Sequence, residues 1–126
     1  YLYSKGFKKS KYLFGINHIS NNSFVCVTEG SLDTIWLHQN GFPSVAILGA
    51  ILSKTQEELL SKLPVAELVI CLDNDEAGKK GKERLMACMS QNFVVSYTKL
   101  PKGVKDIQDV KNKKELEAII QNRDIW

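Results

Sequence analysis

The sequence predicts an α/β fold with an open, mainly parallel four-stranded sheet flanked by helices. Two observations carry this. Short β-branched and apolar runs alternate along the chain with segments of helical periodicity, and each run ends in a turn signal of glycine or acidic residues. Strands that alternate with helices are βαβ units, whose right-handed crossovers place strands side by side and helices on both faces.

The first strand is "FVCVT" (24–28), ending at Glu29-Gly30. Ser31 is expected to cap a helix whose apolar face is Leu32, Ile35 and Trp36, and which closes near Gly41. "SVAIL" (44–48) reads as the second strand, followed by a helix over 55–62 with Ser53 as its cap and Pro64 as its stop. The third strand, "ELVICL" (67–72), runs into Asp73-Asn74-Asp75 and then a helix with Ala77, Leu85 and Met89 facing inward. "FVVSYTKL" (93–100) is the fourth strand. A closing helix is expected over 113–121, with Leu116, Ile119 and Ile120 as its apolar stripe.

The 126 residues, 44% of them apolar, suit one compact domain. No apolar stretch approaches the ~18 residues that span a bilayer, and the N-terminus lacks the layout of a signal peptide, so a cytoplasmic protein without membrane contact is expected. Cys26, Cys71 and Cys88 form no CxxC pair, which argues against both a disulfide framework and a zinc site. The net charge is +3 but unevenly placed: Lys5, Lys8, Lys9 and Lys11 all precede the first carboxylate, Glu29. A basic leading segment beside an acidic body is what a phosphate polymer meets favourably, although a solvated lysine-rich terminus has the same composition.

Ligands of open α/β sheets gather at the carboxyl ends of strands, near a switch in strand order. Glu29-Gly30 and Asp73-Asn74-Asp75 both stand at such ends, and if the first and third strands are neighbours their carboxylates share one crevice. Hard divalent cations take oxygen ligands, often one or two carboxylates completed by phosphates and water. Asp73 and Asp75 can lean toward one ion while Asn74 tolerates the turn, and Gly30 would let the backbone turn sharply after Glu29. Each has a plainer reading, since Asp75 can serve simply as a helix N-cap worth about 1 kcal/mol. Lys79, Lys80 and Lys82 read as a solvated helix face, and Trp36 and Phe42 as core. His18 and His38 carry no partner spacing.

The segments "VTEGSLDTIWLHQNGFPSVAILGA" and "VICLDNDEAGKKGKERL" resemble a Toprim domain, the module shared by bacterial-type primases, topoisomerases and some nucleases. The chain is most similar to the primase branch. "EGSLD" resembles its Glu-Gly-x-x-Asp, "DNDEAGKKG" its Asp-x-Asp-x-Ala-Gly run, "LPKGVKDIQDV" its Leu-Pro-x-Gly-x-Asp-Pro segment, and "FKKSKYLFGI" (7–16) the stretch that leads into the domain. The resemblance implies a Toprim-like domain over 24–126, preceded over 1–23 by a basic segment that ends the polymerase subdomain.

It further implies Glu29 as general base or metal-associated glutamate, with Asp73 and Asp75 as metal-binding aspartates. Asp33 and Asp106 become further acidic positions at the site, and Lys9, Lys11 and Gly30 face the nucleotide or nucleic acid. The implied cofactor is Mg2+ or Mn2+, with no zinc in this stretch. The implied activity is synthesis of short RNA primers on a single-stranded DNA template from ribonucleoside triphosphates, by a longer protein that meets a replicative helicase through its other regions; for the oligomeric state, monomer is the default expectation. One departure stands out. Many cellular primases carry Asp-Pro-Asp where this chain has Asp106-Ile107-Gln108, with the next acid at Asp109. Such looseness is more familiar in primases of phages and mobile elements. The rival implications are a Toprim nuclease or topoisomerase-like cleavage of phosphodiesters, or a non-catalytic nucleic-acid-binding module.

Overall fold

A computed structural model describes residues 8–49 and 51–126. Its centre is a five-stranded sheet of order β2-β1-β3-β4-β5, formed by β1 (Asn22–Thr28), β2 (Ser44–Ala46), β3 (Val65–Ile70), β4 (Val94–Tyr97) and β5 (Asp124–Ile125). The first four strands pair in parallel, with Val25 opposite Leu68, Val27 opposite both Ile70 and Val45, and Val69 opposite Ser96. β1 and β3 are neighbours, as the shared crevice requires.

Both faces of the sheet are covered, which is why its strands read as continuous apolar runs rather than alternating ones. Val25, Val27, Leu68 and Ile70 point to one face. There they pack with Leu60 of α2 (Lys54–Ser61) and with Leu85, Met86 and Met89 of α3 (Glu76–Met89). Cys26, Val69 and Cys71 point to the other face, against Leu37 of α1 (Ser31–Gln39) and Leu116 and Ile120 of α4 (Lys113–Gln121). All three cysteines are free thiols. Trp36, Phe42 and Tyr97 are half-buried core packers, and the Trp36 indole Nε1 donates to the Val110 carbonyl at 3.0 Å.

Several expectations need correction. The strand that pairs antiparallel with β4 is a fifth, unforeseen one, since two residues give no periodicity to read. It is held by Arg123, which makes a two-pronged ion pair with Glu67 at 2.6 and 3.0 Å beneath the Phe24 ring and keeps the Glu67 carboxyl below its usual range. The cap of α1 is Gly30 rather than Ser31, a residue with no side chain of its own to cap the helix. Leu32 and Ile35, expected inward, are 47% and 40% exposed, and the buried face of α1 is Asp33, Thr34 and Leu37. In α3 the expected Ala77 is exposed, while Gly78 and Met86 are buried beside Leu85 and Met89.

α2 begins with the expected cap. The Ser53 hydroxyl accepts the Gln56 amide at 3.0 Å, and the Gln56 side chain accepts the Ser53 amide at 3.1 Å. Gln56 is fully buried, and its Nε2 donates to the carbonyls of Tyr12 at 2.9 Å and Ile47 at 2.6 Å. One side chain thus ties the leading segment, the end of β2 and α2 together. Leu13 is buried in the same core, and Phe14 bridges Ala46 in antiparallel fashion. Gln56→Ala takes the donor from the buried Ile47 carbonyl and is expected to lower stability by about 2 kcal/mol in urea unfolding, the scale of unmet buried polar groups; a loss under about 0.5 kcal/mol would show that this tie is not made.

Candidate active site at the carboxyl ends of β1 and β3

β1 ends at Thr28, and the next residue, Glu29, stands at the crevice where α1 and α3 leave the sheet toward opposite faces. Its backbone is anchored on the β2 side. The Gly49 amide donates to the Glu29 carbonyl at 3.2 Å, which Leu48 makes possible by adopting φ 61°. A left-handed leucine is costly, on the order of 1–2 kcal/mol, and persists only where its surroundings hold it. A chain of buried hydroxyls fixes the other side of the turn: Thr28 Oγ1 donates to the Gly30 carbonyl at 3.1 Å and lies 2.9 Å from Thr34 Oγ1, itself 3.0 Å from Ser44 Oγ. Gly30 has φ −107°, so the expected freedom of glycine is not used there.

Asp33, in the first turn of α1, faces inward. It takes the Gly30 backbone amide, the returning half of a capping box, and accepts the Gln108 amide at 3.3 Å. That second bond docks the loop after β4 against α1. Asp106 caps the short 3-10 turn Ile107–Asp109 by accepting the Asp109 amide at 3.1 Å. Gln108 thus contributes its backbone amide to Asp33, and Asp109 is exposed.

Asp73 and Asp75 flank the turn between β3 and α3. Asp75 is the N-cap of α3, its Oδ1 accepting the Gly78 amide at 2.7 Å. The turn is gripped from the far side by the Asn74 amide, which donates to the Lys105 carbonyl at 2.6 Å. Gly78 is the residue whose importance the sequence pattern understates. A Cβ there would lie 2.0 Å from the Asp73 carbonyl oxygen, so only glycine lets the first turn of α3 close on the Asp73 backbone.

These carboxylates feel one another. Glu29 is pushed up to about 7 by burial and by the charges of Asp73 and Asp75. Burial and the charge of Asp106 push Asp33 and Asp73 up to about 6 each, with Lys105 partly offsetting the effect on Asp73. Glu29 Oε1 and Asp73 Oδ1 are buried without a hydrogen-bond partner. Repelling carboxylates with orphaned oxygens suit a cation, whose charge removes the repulsion and whose coordination takes the free lone pairs. Among the described residues no three histidine, cysteine, aspartate or glutamate side chains are placed to hold an ion by themselves. A cation here would therefore draw further oxygens from substrate or water, the habit of magnesium in phosphoryl-transfer sites.

The structure thus brings together Glu29, Asp33, Asp73, Asp75 and Asp106. It does not bring Lys11 to them: that residue is exposed on the 3-10 turn Lys9–Lys11, which packs against α2. The Lys9 side chain lies outside the described residues. His18 and His38 meet edge to face at 5.8 Å, away from this group.

The doubly wound sheet and its cluster of strand-end acids define the class. A family model described as Toprim-like matches residues 26–111, and the chain belongs to that family. Among curated proteins it is similar to the DNA primase of Campylobacter jejuni, 32% identical over 114 residues, which are 86% of this chain and 19% of that protein. The DNA primase of Helicobacter pylori is 40% identical over 95 residues, 70% of this chain and 17% of the relative. Among solved structures, the Aquifex aeolicus primase (zinc-binding and RNA polymerase domains) superposes with a TM-score of 0.78 at 30% identity, covering 99% of this chain and 33% of that one. The chain spans about a fifth of the length of the first two curated relatives it matches. Among the described residues, no helix is long and apolar enough to cross a membrane.

Two outcomes are expected. Gly78→Ala must separate α3 from Asp73, costing about 1–3 kcal/mol or more, whereas Ala77→Ser next to it stays within about 0.5 kcal/mol in thermal unfolding. The acids set a pH dependence of stability as well. Their pKa values are raised on folding, so their contribution is fullest below the ordinary carboxylate range and is lost as pH rises through about 6 to 7. The metal-free chain is expected to melt a few degrees lower at about pH 8 than at about pH 5, a difference that Asp73→Asn reduces. Equal melting of the two proteins across that range would show that the carboxylates are not coupled.

Proposed function

We propose that this chain is the Toprim catalytic core of a DNA primase, which synthesises short RNA primers on single-stranded DNA from ribonucleoside triphosphates as part of a longer cytoplasmic protein. The observation that carries this reading is the meeting of Glu29, Asp33, Asp73, Asp75 and Asp106 at the β1–β3 crevice, with buried oxygens left unpartnered. The naming of the relatives as DNA primases selects the polymerising reaction from those an acidic site can perform.

Asp73 and Asp75 would hold Mg2+ or Mn2+, with Asp106 and Asp33 completing the acidic wall. When bound, the ion would supply positive charge to offset that of the triphosphate and of the reacting phosphate. Glu29 accepts the proton of the ribose 3′-hydroxyl as its oxygen forms the new bond to the α-phosphate and pyrophosphate leaves, and its buried Oε1 has no other hydrogen-bond partner. The Asp73 amide favours the charged form of Glu29. Asp33, through Gly30 and Gln108, holds the start of α1 and the loop after β4 in place around the crevice. Gly30 would approach the nucleotide, and Lys9 and Lys11, on a leading segment that packs against α2 and not at the carboxylates, would meet the template strand. Residues 1–23 end the polymerase subdomain, and the helicase is met by other parts of the longer protein.

Manganese binding followed by paramagnetic resonance tests the metal arm: the chain should take up Mn2+, and Asp73→Asn with Asp75→Asn should weaken it by about tenfold or more, each tenfold being about 1.4 kcal/mol. In the longer protein, Glu29→Gln should lower primer synthesis by about a hundredfold or more with Mn2+ uptake retained, the range for loss of a general base. Unchanged primer synthesis by Glu29→Gln would remove the base from the mechanism, and Mn2+ uptake indifferent to both aspartates would remove the site.

A further inference from the structure

On the α3–β4 flank of the Asp73 turn lies a cavity of about 210 Å3, over a floor of Ile70, Leu72 and Leu100. Lys79 and Lys82 of α3 and Lys99 just beyond β4 line it, together with Thr98. The helical pattern places Lys79, Lys80 and Lys82 on a solvated face, and Lys79 and Lys80 are exposed accordingly. Lys82 is different. It is half-buried, with Nζ 4.5 Å from the centre of the Tyr97 ring. Lys99 is held by Asp124 Oδ2 at 3.0 Å, a contact that depends on β5. The pair between Lys79 and Glu76 is 3.9 Å long and largely exposed, too weak to hold the lysine back from another anion.

Three lysines from two elements distant in sequence therefore line one concave site, with the Lys82 ammonium on the Tyr97 ring and those of Lys79 and Lys99 in solvent-exposed pairs with Glu76 and Asp124. The first turn of α3 contributes Gly78 to the same cavity, its amide already given to the capping Asp75 carboxylate. Asp73 stands at the border, shared with the carboxylate site. Cations gathered in a cleft with apolar walls focus a positive potential. Lysine recognises phosphate as a point charge and needs no fork geometry.

We propose that this cavity is a phosphate subsite adjoining the carboxylates, formed by Lys79, Lys82, Lys99 and Thr98. Its occupant is a phosphate group of the nucleotide's triphosphate tail or of the nucleic-acid backbone. The assignment of those two sources rests on the primase reading above.

The test is binding by the chain in the presence of a chelator, so that metal plays no part. The two probes are inorganic tripolyphosphate and a fluorescent single-stranded oligonucleotide, and Lys82→Gln/Lys99→Gln is compared with the parent sequence. A loss of about tenfold or more in tripolyphosphate affinity assigns the subsite to the triphosphate. An equal loss for the oligonucleotide, with a salt slope flatter by about one to two, assigns it to the strand. Thr98→Glu, which puts a carboxylate into the cavity and leaves Lys82 on its ring, should reproduce the loss and guards against a variant that fails to fold. If neither probe responds, or if Lys113→Gln/Lys114→Gln on exposed positions of α4 weakens binding equally, the subsite is overturned. Mn2+ uptake is unaffected by that result, so the carboxylate site stands or falls separately.

Discussion

The pairing of β1 with β3 is the constraint on which the rest depends. Five register pairs from Asn22–Val65 to Val27–Ile70 hold the two strands level, so that Glu29, two residues beyond the last pair, and Asp73, three beyond it, leave the sheet within one residue of each other. α1 then departs to one face and α3 to the other, and the backbone opens between them. A shift of one residue in this register would reverse the faces of Val25 and Val27, bringing Cys26 into the wrong core and carrying the carboxylates apart. Burial of those side chains therefore fixes the geometry of a site that makes no direct contribution to the core.

That site is held together against its own electrostatics. Carboxylates that raise one another's pKa values destabilise the metal-free fold at neutral pH, and the compensation lies in uncharged elements around them. The hydroxyl chain of Thr28, Thr34 and Ser44 and the left-handed Leu48 fix the Glu29 turn, while Gly78 and the Asn74 amide fix the Asp73 turn. The backbone amides of Gly30 and Gln108 serve Asp33 as neutral donors, so loop and helix are joined without introducing a cation that would compete for the site.

Much of this was legible in the sequence where burial follows one rule. α4 occupies the expected 113–121 with Leu116 and Ile120 buried, and the Ser53–Gln56 pair is the capping box its spacing suggests. The end of β1 at Thr28 follows from a run buried on both faces, whereas β2, β3 and β4 end at Ala46, Ile70 and Tyr97, two to three residues before their apolar runs do. α1 misled for a physical reason. Its inward side covers the polar ends of β1 and β2, so Asp33 and Thr34 are buried by hydrogen bonds while Leu32 and Ile35 remain at the surface. A periodicity argument that counts only apolar residues inverts such a helix. β5 was not legible, because its place depends on Arg123 reaching Glu67 across 56 positions of sequence.

The Asp106-Ile107-Gln108 departure shows how a side chain can change while a site keeps its frame. The Ile107 side chain is buried in the core under α1 and α4, which fixes the turn by packing. Asp106 caps that turn, and the amide rather than the side chain of Gln108 reaches Asp33. A carboxylate at position 108 would add charge and ligand oxygens, and of these Asp109 already contributes charge to Asp73 from its exposed position. Backbone and core thus carry the positional requirement of this loop, and charge and ligation are left for the side chains to share.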